Sequence, residues 1–236
     1  MKKFIRNCPS CSKPIEYKTK ESLYMANYNN FICRRCHNNK KIKNKCENLL
    51  NGSLESYYWL GFLLADGHFD PVSYNISISI HRNDRIHLEK LQSFAEIKVL
   101  RELKKVPMVN LCFGGKVIVK QLIDKFNIKS NKTTNPPDIT SITGDNLIAF
   151  NIGFIDGDGC ITYQTGRKDP RITIRVHSAW LDNLKYMFNR GKIGNDGYAK
   201  LCIGKYSEIQ NYKKFIIFNS LPYLKRKWDK VIIETN

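Results

Sequence analysis

Two segments of the chain alternate strictly between apolar and polar residues, which predicts two half-buried β-strands. The apolar positions share one face of each strand: Ile76, Ile78 and Ile80 in YNISISIH, and Ile172, Ile174 and Val176 in RITIRVH. A helical pattern follows each strand, from Arg85 to Phe94 and from about Leu181 to Phe188. The same order of elements therefore occurs twice.

The repeat continues beyond these strands and helices. NLCFGGK at Asn110 recurs as KLCIGK at Lys200, and a final helix closes each half, around 117–126 and 208–218. Asn195-Asp196-Gly197 predicts a hairpin turn. We therefore expect an α+β fold of two αββαββα halves with antiparallel sheets, related by a pseudo-two-fold axis, spanning 53–135 and 136–236.

Each half begins with a helical phrase that ends in Asp-Gly: WLGFLLADG from Trp59 and NIGFIDGDG from Asn151, 92 residues apart. Small residues recur at i and i+4 in both copies, as Gly61/Ala65 and Gly153/Gly157, which predicts a stripe where the two helices pack side by side. We expect Ser53 to cap the first of these helices.

If the two helices pack in parallel, Asp66 and Asp158 leave the helix ends at nearly the same point, beside unpaired carbonyls and the negative end of each dipole. Two carboxylates there favour a cation, and hard oxygen ligands favour Mg²⁺. An isolated Asp-Gly is usually a turn with a C-capping glycine, but two copies in one helical context favour the metal site.

At these phrases the chain resembles the LAGLIDADG homing endonucleases in their single-chain form with two motifs, from about Tyr57 to the C-terminus. The resemblance implies two sheets that form a DNA-binding saddle and a monomer with internal pseudo-symmetry. It places the catalytic acids of the eighth motif position at Asp66 and Asp158, each helping to cleave one DNA strand across the minor groove to leave 3′ overhangs. The sixth position is Leu64 in one copy and Asp156 in the other.

The resemblance also suggests further members of the catalytic site. Lys132 and Lys227 resemble the family's lysine after the last helix of each half, although Lys129, Lys225 and Arg226 compete nearby and a plain phosphate contact is the alternative role. We expect Ala65 and Gly157 to belong to the Mg²⁺ site with the two aspartates. His68 has Cys160 as its counterpart in the repeat, which argues against a general-base role for His68.

The N-terminal segment carries two close cysteine pairs, Cys8/Cys11 and Cys33/Cys36. This spacing predicts a four-cysteine Zn²⁺ site in a zinc ribbon at 1–40, since a redox motif needs only one pair and a βαβ context. His37 is a conceivable substitute ligand, but four cysteines already complete the shell. The remaining cysteines are expected to pack as small apolar residues in a reducing compartment: Cys46, Cys112, Cys160 and Cys202.

The chain has 39 Lys and Arg against 21 Asp and Glu, a net charge of +18. Such an excess favours a polyanionic partner, here double-stranded DNA. A lysine-rich linker is predicted at 41–52, either lying along phosphates or simply solvated. No apolar stretch is long enough for a membrane span and no signal peptide is recognisable, so we expect an intracellular protein without a membrane partner.

The polar faces of the predicted strands are the candidate DNA-reading surface, because Asn, Arg and Ser hydrogen-bond base edges and a β-ribbon fits the major groove. For any single residue, an ordinary solvent-facing position is the alternative. The candidates are Asn75, Ser77, Ser79, His81, Asn110, Arg171, Thr173, Arg175, His177 and Lys200.

The resulting prediction is a Mg²⁺-dependent, site-specific DNA endonuclease whose basic zinc ribbon extends the DNA footprint. Two alternatives stay open: an RNA maturase that assists splicing of a host intron, and a DNA-binding regulator that no longer cleaves. The presence of both eighth-position acids favours cleavage over the regulator.

Overall fold

The computed structural model describes residues 4–36, 46–97, 100–103, 105–163, 166 and 169–233. The chain divides into two compact units, 1–45 and 46–236. Positions 37 and 41–45, the predicted spare ligand His37 and the first part of the predicted linker, lie outside the described residues. The rest of that linker belongs to the second unit, where Leu49 is buried in the core.

The first unit is a small hairpin followed by a helix. Strand β1 (Phe4–Asn7) pairs antiparallel with β2 (Pro14–Tyr17), and helix α1 spans Lys20–Tyr28. The Thr19 side chain accepts from the backbone N–H of Ser22 and so caps α1.

The second unit contains the predicted element order twice. The first half comprises α2 (Leu54–Asp66), β3 (His68–Asp70), β4 (Asn75–His81), α3 (Arg85–Phe94), β5 (Leu100–Glu102), β6 (Met108–Gly114) and α4 (Lys116–Phe126). The second half comprises α5 (Gly144–Asp158), β7 (Gly159–Tyr163), β8 (Pro170–Val176), α6 (Leu181–Phe188), β9 (Lys192–Ile193), β10 (Ala199–Ile203) and α7 (Tyr206–Phe218). A short helix, α8 (Lys225–Trp228), follows α7.

Each half forms one antiparallel four-stranded sheet, in the orders β3-β4-β6-β5 and β7-β8-β10-β9. The orders match strand for strand, which confirms the predicted duplication and α+β class. The turn from Gly194 to Gly197 joins β9 to β10, and Gly197 adopts a φ of +76°. Among the described residues, no helix is long and apolar enough to cross a bilayer.

The predicted faces of the two central strands are confirmed. The isoleucines of β4 are buried, whereas Asn75, Ser79 and His81 on the opposite face are exposed. In β8 the apolar positions are likewise buried and Arg175 is exposed. Because one face of each strand is buried, a shift of the strand pairing by one residue would turn the apolar side chains towards solvent.

The prediction that the single cysteines are packed as apolar residues is correct only for Cys46, which lies in the core. It is wrong for Cys112, Cys160 and Cys202, which are exposed. Each of these occupies a position on the solvent-facing side of its strand, and strand alternation therefore outweighs the general preference of cysteine for the interior.

Candidate active site

The two motif helices α2 and α5 touch through their backbones at the predicted small-residue stripe. A Cβ placed on Gly153 would stand 1.9 Å from the carbonyl oxygen of Tyr58, and one on Gly61 would stand 2.1 Å from that of Phe150. Near the helix ends, a Cβ on Gly157 would lie 2.3 Å from that of Ala65. An added Cβ does not fit at Gly61, Gly153 or Gly157, and these close contacts bring the ends of the two helices together.

Asp66 and Asp158 are the last residues of α2 and α5, as the repeat predicts. Both side chains reach solvent, yet surrounding protein raises both pKa values by desolvation. The pKa of Asp158 rises to about 6, first through desolvation and then through the nearby charge of Asp66. The two carboxylates therefore repel each other across the junction of the halves, and a divalent cation between them would relieve that repulsion.

Lys132 and Lys227 lie at the carbonyl ends of the same helices. Lys132 Nζ donates to Leu64 O and Ala65 O, both at 2.7 Å. Lys227 Nζ donates to the carbonyls of Ile155, Asp156 and Gly157 at 2.9, 2.5 and 3.0 Å. Each ammonium group thus replaces the missing hydrogen bonds and meets the negative dipole at its own half's helix end.

The structure separates these lysines from the basic residues that compete with them in sequence. Lys227 is buried, whereas Lys129, Lys225 and Arg226 are exposed. Arg226 instead forms an ion pair with Asp84 at 2.7 Å. Burial lowers the pKa values of both Lys132 and Lys227, and the neighbouring carboxylates oppose that shift. Ala65 O and Gly157 O, the backbone atoms next to the aspartates, each accept from a lysine and retain a second lone pair for another partner.

Asp156 has a role that the sequence did not reveal. It is 1% exposed and accepts from Tyr58 Oη at 2.6 Å, the backbone N–H of Leu224 at 2.9 Å and the indole of Trp228 at 2.8 Å. Burial raises its pKa to about 6 despite these donors. The only signal in the sequence was an acid within an apolar helix, because its partners are remote along the chain.

The predicted DNA-reading side chains occupy the polar faces of both sheets. In the first sheet Asn110 donates to Ser79 Oγ at 2.8 Å, across the β4–β6 pair. In the second sheet Arg175 pairs with Asp196 at 2.9 Å and lies 4.3 Å over the ring of Tyr198. Lys200 pairs with the same carboxylate at 2.8 Å, so Asp196 holds two basic side chains beside the hairpin turn.

Two of the candidates also serve the local backbone. The Nδ1 atom of His81 accepts from Asn83 N at 3.3 Å, and Nδ1 of His177 accepts from Ala179 N at 3.2 Å. Both histidines therefore cap the turn that follows their strand, in equivalent places of the repeat. The remaining candidates on these strands are exposed or half-buried: Asn75, Ser77, Arg171 and Thr173.

A basic concavity of about 600 Å³ lies on the second sheet. Its lining includes four cationic side chains: Arg175, Arg190, Lys192 and Lys200. Arg190 pairs with Glu208 at 3.0 Å. Concentrated positive charge on a strand surface suits a phosphate backbone.

In the first unit, the four predicted cysteines come together. The sulfur atoms of Cys8, Cys11, Cys33 and Cys36 all lie within 4.8 Å of one another, and the Cys11 and Cys33 sulfurs are 3.8 Å apart. Tetrahedral zinc with Zn–S bonds of about 2.3 Å requires sulfurs about 3.8 Å apart, so the cluster has the right dimensions. The backbone N–H of Cys33 also donates to Sγ of Cys8 at 3.2 Å, a contact that stabilises the thiolate form that metals bind.

Comparison with solved structures identifies the fold. A point mutant of I-SmaMI matches with a TM-score of 0.51 and 14% identity, over 74% of this chain and 87% of that one. The LAGLIDADG meganuclease I-AabMI bound to uncleaved DNA matches with a TM-score of 0.50 and 11% identity, over the same shares of the two chains. No protein-family model matches the chain, and neither does any curated protein.

The second unit therefore has the fold of the LAGLIDADG endonucleases, as its motif phrases predict. In this chain Asp66 and Asp158 end the two motif helices, and each helix end accepts hydrogen bonds from one lysine.

Proposed function

We propose that this protein is a LAGLIDADG homing endonuclease that makes a divalent-metal-dependent double-strand break in a specific DNA site. The observation that carries the proposal is the joint helix end where Asp66 and Asp158 stand together, flanked by Lys132 and Lys227. An exposed pair of carboxylates with raised pKa values, held on rigid backbone, is typical of a functional site.

Asp66 and Asp158 fit a hard divalent cation, and we assign Mg²⁺ to them with Ala65 O and Gly157 O as neighbouring oxygen atoms. When bound, the cation supplies Lewis-acid stabilisation of the charge that develops on the phosphate. The chain's own residues contribute the rest. The paired helices hold two carboxylates at one point, and the two lysines add positive charge that is fixed before DNA arrives.

We assign recognition of the DNA to the polar faces of the two sheets. Their exposed or half-buried Asn, Ser, Thr, Arg and Lys side chains can donate to base edges and phosphates, and the basic concavity adds long-range attraction. We assign Zn²⁺ to the four cysteines of the first unit as a structural ion. That unit carries twelve Lys and Arg against two Glu, which supports the proposal that it adds to the DNA footprint.

The test is cleavage of a defined substrate. Mobile endonuclease genes commonly interrupt their own recognition sites, so the substrate is the sequence made by joining the two flanks of this gene. With Mg²⁺ we expect one double-strand break with 3′ overhangs near the junction, and with EDTA no break. Binding without cleavage in Mg²⁺ would instead support the regulator, and faster splicing of a surrounding intron would support the maturase.

A further inference from the structure

Lys227 lies on a helix that cannot hold itself in place. The helix α8 spans only Lys225–Trp228, a single turn, and such short helices are unstable on their own. Nevertheless the Lys227 side chain is 4% exposed and contacts three carbonyls at the end of α5. Contacts elsewhere must therefore stabilise α8.

The carboxylate of Asp156 contacts both ends of α8. Its Oδ2 atom accepts from the backbone N–H of Leu224, the residue that precedes the helix, at 2.9 Å. Its Oδ1 atom accepts from the indole of Trp228, the last residue of the helix, at 2.8 Å. One buried side chain on α5 thereby joins the two ends of the turn that carries Lys227.

The first half helps to hold this carboxylate. Tyr58 on α2 donates to Oδ2 of Asp156 at 2.6 Å, and its own oxygen lies 3.0 Å from Nε2 of His87. Burial lowers the pKa of His87 to about 3, so the ring is neutral at pH 7. Tyr58 therefore links the carboxylate of Asp156 to a neutral His87 ring in the first half.

A different contact holds Lys132 in place. The position that matches Asp156 in the first half is Leu64, which has no acceptor in its side chain. Instead the buried indole of Trp180, from the second half, donates to the backbone oxygen of Lys132 at 3.1 Å. The two lysines therefore occupy equivalent positions, but different side chains hold them in place.

We propose that Asp156 is a positioning residue for Lys227, so that its loss slows the cutting of one DNA strand while the other strand, served by Lys132, is cut normally. The strand-selective part rests on the proposed nuclease function. The placement of Lys227 by Asp156 does not rest on that function, and this placement can be measured without DNA.

The first test measures reductive methylation of lysines in the full-length protein by peptide mass spectrometry. Asp156→Asn keeps the volume but replaces one acceptor with an NH₂ group, and Trp228→Phe removes one donor from the same network. With either change we expect Lys227 to be methylated about tenfold faster, because a lost hydrogen bond to a buried charge is worth that factor or more. Lys132 should keep its rate, and the exposed Lys185 provides the internal reference.

Trp180→Phe is the matched control, since it removes the indole that supports the other lysine. It should raise the methylation rate of Lys132 and leave that of Lys227 unchanged. If Asp156→Asn and Trp228→Phe both leave the rate of Lys227 unchanged, or accelerate both lysines equally, the positioning role is wrong.

The second test follows each end-labelled strand of the joined-flank duplex in Mg²⁺. We expect Asp156→Asn and Trp228→Phe to slow the same strand by about 100-fold, the cost of a misplacement near 1 Å, and to accumulate nicked DNA. Trp180→Phe should nick with the opposite strand preference. Equal slowing of both strands overturns the strand assignment. If wild-type protein leaves the DNA intact, the nuclease proposal fails, whereas the methylation rates still decide the role of Asp156.

Discussion

Lys132 caps the helix of its own half, yet its charge acts more strongly on Asp158, from the other half, than on Asp66. Likewise, Lys227 of the second half lowers the pKa of Asp66 in the first half more than Lys132 does. Each half thus supplies one cation to the carboxylate of the other. The candidate site therefore exists only while the two motif helices stay in contact.

The helix contact itself can be tested at Gly153. Gly153→Ala places a Cβ 1.9 Å from Tyr58 O, so the helices must separate, and we expect a loss of at least about 2 kcal/mol in the free energy of unfolding. Chemical denaturation measures it. Gly204→Ala is the control, because none of the described residues beyond its two chain neighbours comes within 4 Å of the added Cβ. Without the close approach, alanine in the helix would stabilise the protein by about 0.5 to 1 kcal/mol, so a gain would contradict the contact.

Desolvation of Asp158, together with repulsion from Asp66, predicts a pH-dependent effect of Asp158→Asn. The folded-state pKa of Asp158, about 6, exceeds its ordinary value of 3.8, so ionisation destabilises the folded protein. That penalty is absent below about pH 4 and complete above about pH 6. The variant should therefore melt at a higher temperature than wild type at pH 8, and equally at pH 3.5.

Metal binding gives the same variant a second readout. Mg²⁺ should raise the melting temperature of wild type at pH 8 more than that of Asp158→Asn, since a bound ion stabilises the folded state. Asp182→Asn, at a side chain that is 93% exposed on α6, is the matched control and should respond like wild type. Equal responses of all three proteins would place the metal elsewhere.

The sequence predicted those parts of the fold that depend on local periodicity. Strand alternation identified the buried face of β4 and β8, and the i, i+4 glycines identified the helix contact. Strand alternation also predicts the exposed cysteines. Cys112 lies between buried Leu111 and Phe113, so its side chain must face outward. For these three cysteines, position in the strand therefore determines exposure more than residue type does.

The contacts that hold the two lysines in place cannot be predicted from one sequence. Asp156 contacts Leu224 and Trp228, which are 68 and 72 residues away along the chain. An acid in an apolar helix indicated a break in the two-fold symmetry at this position, without indicating its partners. The structure shows that a buried hydrogen-bond network is what breaks the symmetry.

Removal of zinc should affect the first unit alone. We expect one zinc ion per chain by elemental analysis, and its loss in Cys33→Ser, because three thiolates cannot complete the shell. Without the metal, limited proteolysis should cleave within 4–36 while 46–236 resists, since we expect the small unit to depend on zinc for its stability. Cys202→Ser, at an exposed cysteine outside the cluster, should keep the metal. Zinc-free wild-type protein with an intact first unit would contradict this assignment.

The polar face of the second sheet can be tested at Arg175. Arg175→Ala should weaken binding to the true site by about 1 to 3 kcal/mol and relax the base preference there, as expected for loss of a base contact. Fluorescence anisotropy on the true site and on single-base variants measures both. Lys185→Ala removes an exposed cation from α6 and is the control. If Arg175→Ala and Lys185→Ala alter affinity equally for all sequences, Arg175 contributes only general charge.

We propose that Asp66 and Asp158 form one metal-dependent cleavage site, and the reaction of Asp158→Asn with the joined-flank duplex tests this directly. Binding and cleavage are measured on the same DNA in Mg²⁺, with wild-type protein in parallel. We expect binding within about twofold of wild type, because the carboxylate does not read bases, and no double-strand break. Double-strand cleavage by this variant at the wild-type rate would show that Asp158 is not part of the cleavage site.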